Sequence, residues 1–346
     1  MTVAEQGVGG KVHCTYCGRF AACDAANVCT WCNNKLKLSK STQIARRNSG
    51  SPFWCEGKPR FVSLGQLHRD TLELASMVPP DTVAVVGVAR SGMATASLVA
   101  MMAHLPLFTI RQTLGDVISC GNGWRLGAKH VRAPKGRVVV IDDTVMTGNS
   151  LRAIRPIVER EFGEATTACV YVNPKAARKP DITVHELGWP HLLEWNLFNS
   201  VLSPNLACDF DGVFCHDCQP GQDDDGLAYL DFINNARPLY TPRRVPVPLV
   251  VTARIEKYRE PTLAWLRRQG IRVNQLIMHP AKTLQERRRD DIAAWKAKHF
   301  IEWNNRHRPE PAPNGFIESD DTQARRIAQL SGLMVVCPGT AQVYSR

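Results

Sequence analysis

The chain is expected to fold as an α/β protein: two domains built on parallel sheets flanked by helices, preceded by a small cysteine-rich module. Three observations lead there. Runs of β-branched and apolar residues recur at 82–88, 138–141, 206–208 and 249–251, and each gives way to a polar turn and a helical stretch. Alternation of that kind favours parallel strands joined by crossover helices. Several of these runs end in carboxylates or glycine, at the C-terminal strand ends where open α/β sheets bind ligands. Finally, 346 residues with 44% hydrophobic and 22% charged composition suit two ordinary globular domains and a module. The expected boundaries are 1–50, 51–200 and 201–346, with linkers near 39–52 and 197–205. No internal repeat is visible.

In chain order, the first unit is Cys14-x-x-Cys17 and Cys29-x-x-Cys32, two pairs separated by eleven residues. Each C-x-x-C can bend until both sulfurs meet one tetrahedral ion, so the four thiolates point to structural Zn²⁺ in a small ribbon or knuckle. A pair of disulfides is the alternative. The chain shows no signal peptide and no apolar run long enough to span a membrane, which favours a reducing cytoplasm. His13 and Cys23 are spare ligands. Lys35, Lys37, Lys40, Arg46 and Arg47 follow the module, so it could touch nucleic acid or protein, or only brace its neighbour. Its folding energy would come from the metal.

The second unit contains Val138-Val139-Val140-Ile141-Asp142-Asp143-Thr144-Val145-Met146-Thr147-Gly148-Asn149-Ser150. A buried strand ends in two adjacent carboxylates, and a Thr-Gly-Asn-Ser turn opens a helix. Backbone N–H groups and hydroxyls at such a turn suit a phosphate, and the glycine lets the backbone come close. The two carboxylates can accept hydrogen bonds from vicinal ribose hydroxyls. This run resembles the PRPP-binding signature of type I phosphoribosyltransferases. The resemblance covers roughly 53–199 and implies that family's parallel-sheet fold. It assigns PRPP binding to Asp142, Asp143, Thr144, Thr147, Gly148, Asn149 and Ser150, with Asp143 also catalytic. The loop after the 82–88 strand would hold pyrophosphate through Arg90, Ser91 and Gly92. The glycine-rich stretch 120–127 resembles the mobile catalytic loop, in which Arg125 would stabilise the departing pyrophosphate. The acceptor base would be chosen by a hood near 53–67 and 177–197.

The third unit opens on Leu206-Ala207-Cys208-Asp209-Phe210-Asp211-Gly212. Carboxylates at i and i+2 on a strand end point to one side. That suits a nucleophile and an acid/base around one Mg²⁺. The run resembles motif I of the haloacid dehalogenase (HAD) superfamily, which implies a Rossmann-like phosphatase domain that forms an aspartyl-phosphate. Asp209 would attack phosphorus, and Asp211 would protonate the leaving oxygen and then activate water. Thr252 would hydrogen-bond the phosphoryl group. Lys296 would neutralise it, with Lys298 and Lys282 as rivals, and Glu318 and Asp320 would complete the Mg²⁺ site with Asp209 and Asp211. Only about forty residues separate Asp211 from Thr252, too few for a large cap. The lone Cys215-x-x-Cys218 reads as incidental, with a second metal site as the alternative, and Asp223-Asp224-Asp225 as a solvated turn.

Net charge is +11, and residues 243–310 hold sixteen Lys/Arg against seven Asp/Glu. That balance favours phosphorylated partners. The stretches 276–280 and 287–291 resemble the phosphatase domain of polynucleotide kinase-phosphatases, but no Walker A loop is present. The leading expectation is a bifunctional enzyme of nucleotide metabolism with Mg²⁺, PRPP and a nitrogen base at one site, and a phosphomonoester at the other. The alternatives are a nucleic-acid end phosphatase carrying a PRPP-sensing domain, or a non-catalytic PRPP-binding regulator. The transferase family also suggests a homodimer, and nothing suggests a membrane partner.

Overall fold

The computed structural model describes residues 11–13, 20–22, 59–111, 115–121, 134–307 and 314–345. The chain divides into two units, Met1–Trp54 and Cys55–Arg346. Within the first, β1 (Lys11–His13) and β2 (Phe20–Ala22) form an antiparallel pair, Val12 opposite Ala21. Cys14, Cys17, Cys29 and Cys32 lie outside the described residues.

The second unit begins with β3 (Arg60–Val62) and α1 (Leu64–Ser76), whose first turn is capped by the Ser63 hydroxyl accepting from the Gln66 N–H at 3.1 Å. Then follow β4 (Thr82–Ala89), α2 (Gly92–Ala103), β5 (Leu107–Arg111), β6 (Val117–Gly121), β7 (Gly136–Val145), α3 (Asn149–Phe162), β8 (Gly163–Val172), β9 (Ile182–Glu186) and β10 (His191–Leu193). A six-stranded sheet runs β6-β5-β4-β7-β8-β9, parallel except for the β5/β6 edge pair. Val85, Val86, Val138, Val139, Val140 and Ile141 are completely buried in its centre. Both faces of β4 and β7 are covered, which explains their continuous apolar runs. Helix α3 seats Leu151, Ile154, Val158 and Phe162 on that sheet, one stripe at helical spacing. Away from the sheet, β3 and β10 pair in parallel, joining the two segments expected to form the hood.

The rest of the unit contains β11 (Leu206–Cys208), α4 (Leu227–Asn235), β12 (Val250–Ile255), α5 (Arg259–Gln269), β13 (Leu276–His279), α6 (Leu284–Arg287), α7 (Ile292–Arg306), β14 (Gly315–Ile317), α8 (Asp321–Ser331), β15 (Met334–Cys337) and β16 (Gln342–Tyr344). Its sheet runs β13-β12-β11-β14-β15-β16, parallel except for β15/β16. Both parallel sheets therefore match the expected α/β architecture.

Two expectations need correction. The segment 197–205 is not a free linker: Leu197 and Leu202 are buried in one core with Phe210, Phe214 and Trp265, so apolar packing runs straight across position 200. Nor is the acidic triplet a solvated turn. Asp223 pairs with Arg287 and Arg288. Asp224 accepts from the N–H groups of Gly226, Ala228 and Tyr229 at the start of α4. Asp225 binds Lys257, Tyr258 and the Leu284 N–H. Three consecutive carboxylates clasp three elements, because each finds donors that an open turn would leave to water.

Two candidate active sites

The first site lies where β4 and β7 end side by side. Asp142 and Asp143 terminate the apolar run of β7, and α2 starts against them. A Cβ on Gly92 would stand 2.8 Å from the Ile141 carbonyl oxygen and 2.9 Å from the Asp142 Cα, so only glycine admits this approach. The loop Ala89-Arg90-Ser91 carries a cis Ala89–Arg90 peptide and an exposed Arg90, whose Nη2 donates to Asn196 Oδ1 at 3.4 Å. Asp142 accepts from the Asp143 N–H at 3.0 Å. Burial first, and then repulsion from Asp143, lifts the Asp142 carboxyl well above the ordinary carboxylate range. Asp143 is buried and accepts from the Trp195 indole N–H at 2.6 Å.

Beyond the acids, Gly148 adopts φ 77° and caps α3. A Cβ there would fall inside the Arg178 carbonyl. Thr147 Oγ1 accepts from the Asn149 N–H at 3.3 Å, and Arg178 Nη1 donates to Asn149 Oδ1 at 3.1 Å. Thr144 Oγ1 is buried with no hydrogen-bond partner among the described residues. Asn149 and Ser150 are exposed at the helix start, where N–H groups point outward for an anion. Ser91 sits at the start of α2 without a side-chain capping bond. Sequence reasoning missed Trp195 and Arg178. Neither carries a spacing signal, because each reaches the site from an element distant in the chain. Arg125 lies outside the described residues.

The second site is built at the end of β11. Asp209 Oδ2 accepts from Lys296 Nζ at 2.7 Å, Glu318 Oε2 accepts from the same ammonium at 2.6 Å, and Gln323 Oε1 takes its third proton at 3.0 Å. Lys296 is 1% exposed and Glu318 completely buried. Lys296 fills this place because α7 runs beside the sheet with Ala293, Ala297 and Phe300 inward on the same face; the exposed Lys298 and Lys282 do not. Burial alone would depress its ammonium, but Asp209 and Glu318 raise it instead. Burial pushes Asp209 up to about 7, with Lys296 pulling down and Glu318 pushing up. Thr252 is completely buried in β12, and its hydroxyl accepts from the Arg254 N–H at 3.2 Å.

Asp211 departs from expectation. Buried Arg254 donates from Nη2 to Oδ1 at 2.6 Å and from Nε to Oδ2 at 3.0 Å, while its guanidinium lies 4.0 Å above the Phe210 ring. The thiol of Cys215 donates to Asp211 Oδ1 at 3.3 Å, giving that cysteine a structural place. Gly212 turns at φ 70°, and a Cβ on it would overlap the Ser319 side chain. Arg254 lies in β12 two residues beyond Thr252, and its reach to Asp211, 43 positions away, has no signature in the sequence. Asp217 was also missed: its carboxyl is raised by burial and then by repulsion from Asp211 and Asp209.

Each of the four carboxylates expected to hold Mg²⁺ has a protein donor, Asp209 that of Lys296. Asp211 is occupied by Arg254, Glu318 by Lys296 and the Asp320 N–H, and Asp320 caps α8 by accepting from the Gln323 N–H at 2.8 Å. Among the described residues no group of three or more His, Cys, Asp or Glu is gathered for a metal. What remains spare is Asp209 Oδ1, buried and without a hydrogen-bond partner among the described residues.

No protein-family model matches the chain. A search of curated proteins finds no match either. Among solved structures, the chain is similar to a purine phosphoribosyltransferase from Pyrococcus horikoshii, 20% identical over 42% of this chain and 99% of that one, with a TM-score of 0.33. It is similar to a xanthine-guanine-hypoxanthine phosphoribosyltransferase from Helicobacter pylori at 18% identity, 40% and 93% coverage, and a TM-score of 0.31. A third neighbour is an orotate phosphoribosyltransferase from Aeropyrum pernix, at 22% identity, 35% and 70% coverage, and a TM-score of 0.28.

Proposed function

We propose that the chain is a bifunctional enzyme: one site transfers phosphoribosyl from PRPP to a nitrogen base, releasing pyrophosphate, and the other hydrolyses a phosphomonoester. One observation carries the first half. The Asp142–Asp143 pair, the glycine-backed Arg90 loop and the Gly148 turn converge on the ends of two adjacent strands. Asp142 and Asp143 hold the ribose hydroxyls while the sugar becomes oxocarbenium-like. The N–H groups and hydroxyls of 147–150 hold the 5′-phosphate, and Arg90 stabilises the leaving pyrophosphate. The base nitrogen bonds to carbon 1 as the carbon–oxygen bond to pyrophosphate breaks. Mg²⁺ bound to PRPP supplies charge neutralisation to that leaving group.

The second half rests on the buried Asp209–Lys296–Glu318 cluster. Asp209 attacks phosphorus through a carboxylate oxygen, the ester oxygen leaves as the alcohol with a proton from Asp211, and water, giving a proton back to Asp211, then cleaves the aspartyl-phosphate to return Asp209 and inorganic phosphate. Lys296 and Thr252 hold the transferred phosphoryl group. The nucleic-acid end reading loses support from the same region: Arg254 and Lys296 are buried, and Arg287 and Arg288 are tied to Asp223. Among the described residues, Arg254, Lys257, Arg259, Arg287, Arg288 and Lys296 of 243–310 are held in ion pairs.

The test is a separation of activities. Asp209→Asn, incubated with Mg²⁺, PRPP and a panel of bases, is expected to release pyrophosphate and accumulate a nucleotide detected by mass. Asp143→Asn is expected to lose transfer about a hundredfold, near 3 kcal/mol of barrier, with hydrolysis retained. Equal loss of both activities in either variant would contradict two separate sites. For hydrolysis, Asp209 must be ionised to attack. With its carboxyl raised to about 7, kcat/KM for an aryl phosphate already dianionic over the range should climb with pH through neutrality and then level. A profile flat below neutrality would show that Asp209 is already ionised there, held so by the Lys296 ammonium.

We also place structural zinc on Cys14, Cys17, Cys29 and Cys32. Elemental analysis of the native chain is expected to find about one zinc per chain, lost in a Cys14→Ser, Cys29→Ser variant. Metal-free native protein would leave the disulfide alternative. Among the described residues no helix is long and apolar enough to cross a membrane.

A further inference from the structure

Beside the first site, and sharing Arg90 with it, lies a cavity of about 340 Å³, within the range of roughly 300–1,000 Å³ typical of small-ligand pockets. Its inner wall is the segment Glu194-Trp195-Asn196. Trp195 ties this wall to the acidic pair through its 2.6 Å bond to Asp143, and Arg90 closes the same side. The opposite wall comes from the other half of the unit, residues 239–244, including Tyr240, Arg243 and Arg244.

The charge balance of this cavity is one-sided. Among the described residues Glu194 is the only carboxylate lining it, and both its oxygens are taken: Oε1 by the Tyr240 hydroxyl at 2.6 Å and Oε2 by the Leu64 N–H at 2.6 Å. Three guanidiniums face it in return. Among the described residues Arg90 has only the long 3.4 Å bond to Asn196, and Arg243 uses Nε for the Gln269 carbonyl at 3.1 Å, leaving its terminal nitrogens. The Arg244 guanidinium is exposed and has no partner among the described residues. Aromatic walls suit a flat heterocycle, and guanidinium forks suit a carboxylate or phosphate.

We infer that this cavity is the acceptor site, completed by residues 239–244, and that the acceptor is a heterocycle bearing an anionic substituent held by Arg243 and Arg244. The inference rests on the transferase reading above and names its substrate class. It also explains why 197–205 is packed rather than free: a rigid joint is needed if one half is to supply a wall to the other's site.

The experiment measures pyrophosphate release by the full chain with Mg²⁺ and PRPP, using acceptors paired to differ only in charge. Orotate against uracil and nicotinate against nicotinamide form the carboxylate arm. The phosphate ester of 4-hydroxyethylimidazole against its parent alcohol forms the phosphate arm. In at least one pair the anionic member should exceed its neutral partner in kcat/KM by about tenfold or more. Arg243→Ala with Arg244→Ala, both exposed and so compatible with folding, should cut that ratio about tenfold through KM. Preference for neutral acceptors, or an unchanged ratio in the double variant, overturns the inference. If no acceptor is used, PRPP-induced thermal stabilisation, compared with Asp142→Asn, separates the cases. Stabilisation in the parent chain alone means the acceptor class is wrong, whereas its absence in both removes the transferase reading itself.

Discussion

Replacing Lys296 by methionine is expected to destabilise the second sheet by about 3–5 kcal/mol and to abolish phosphate release. The ammonium is the only cation within hydrogen-bond reach of Asp209 and Glu318 among the described residues, at 2.7 and 2.6 Å, and all three side chains are buried. Methionine keeps the volume and removes the charge, leaving two carboxylates facing each other in a dry interior. Their remedy is to bind protons, which raises their native pKa values above those of the unfolded chain. A group raised in this way contributes stability at low pH and loses it as pH rises. The deficit in melting temperature relative to the parent should therefore be smaller at about pH 6 than at about pH 8. An equal deficit at both would mean that the carboxylates are solvated in the variant. No deficit at all would contradict the buried cluster. On the proposed function, phosphoryl transfer is expected to fail in either case, since the charge proposed to neutralise the phosphoryl group is gone.

Gly148→Ala is expected to cost the first site about a hundredfold in transfer rate, with hydrolysis preserved. Two effects combine. At φ 77° an L-residue carries roughly 1–2 kcal/mol of backbone strain. The new methyl group also meets the Arg178 backbone, which cannot rotate away as a side chain could. The turn must shift, and with it the N–H groups that open α3. Gly221→Ala separates the two causes, because Gly221 has φ 89° but open space around its Cβ position. That variant should show the strain in stability without losing transfer. Loss of transfer equal to the parent's experimental error in Gly148→Ala would show that the turn does not hold the phosphate.

How much of this was legible beforehand depends on whether a feature is local. The runs 82–88, 138–141 and 249–251 were readable as buried strands because both faces of the central strands are covered, so every position had to be apolar. The Thr147–Ser150 turn was readable because φ > 0 at one position selects glycine and an exposed helix start selects polar residues. Lys296 stood out among its rivals in the sequence, but choosing it required knowing which face of α7 packs inward. Asp320 shows the opposite case: a carboxylate just before a helix serves as a metal ligand or as an N-cap with equal ease, and the fold uses it as the cap.

Long-range pairings decided the rest. Trp195 reaches Asp143 across 52 positions, Arg254 reaches Asp211 across 43, and Tyr240 reaches Glu194 across 46. None of these partners has a fixed spacing, since the length of chain between them is free to vary while the contact is kept. Residues 197–205 looked like a linker because Asn199, Ser200, Ser203, Pro204 and Asn205 are turn-forming residues, yet Leu197 and Leu202 are enough to bury the segment once two apolar faces are available. The chain's local chemistry thus names the strands, the turns and the carboxylates at the strand ends. The pairing of each carboxylate, and the joining of both halves around one cavity, follow from packing, because a buried charge takes whichever partner the fold brings within reach.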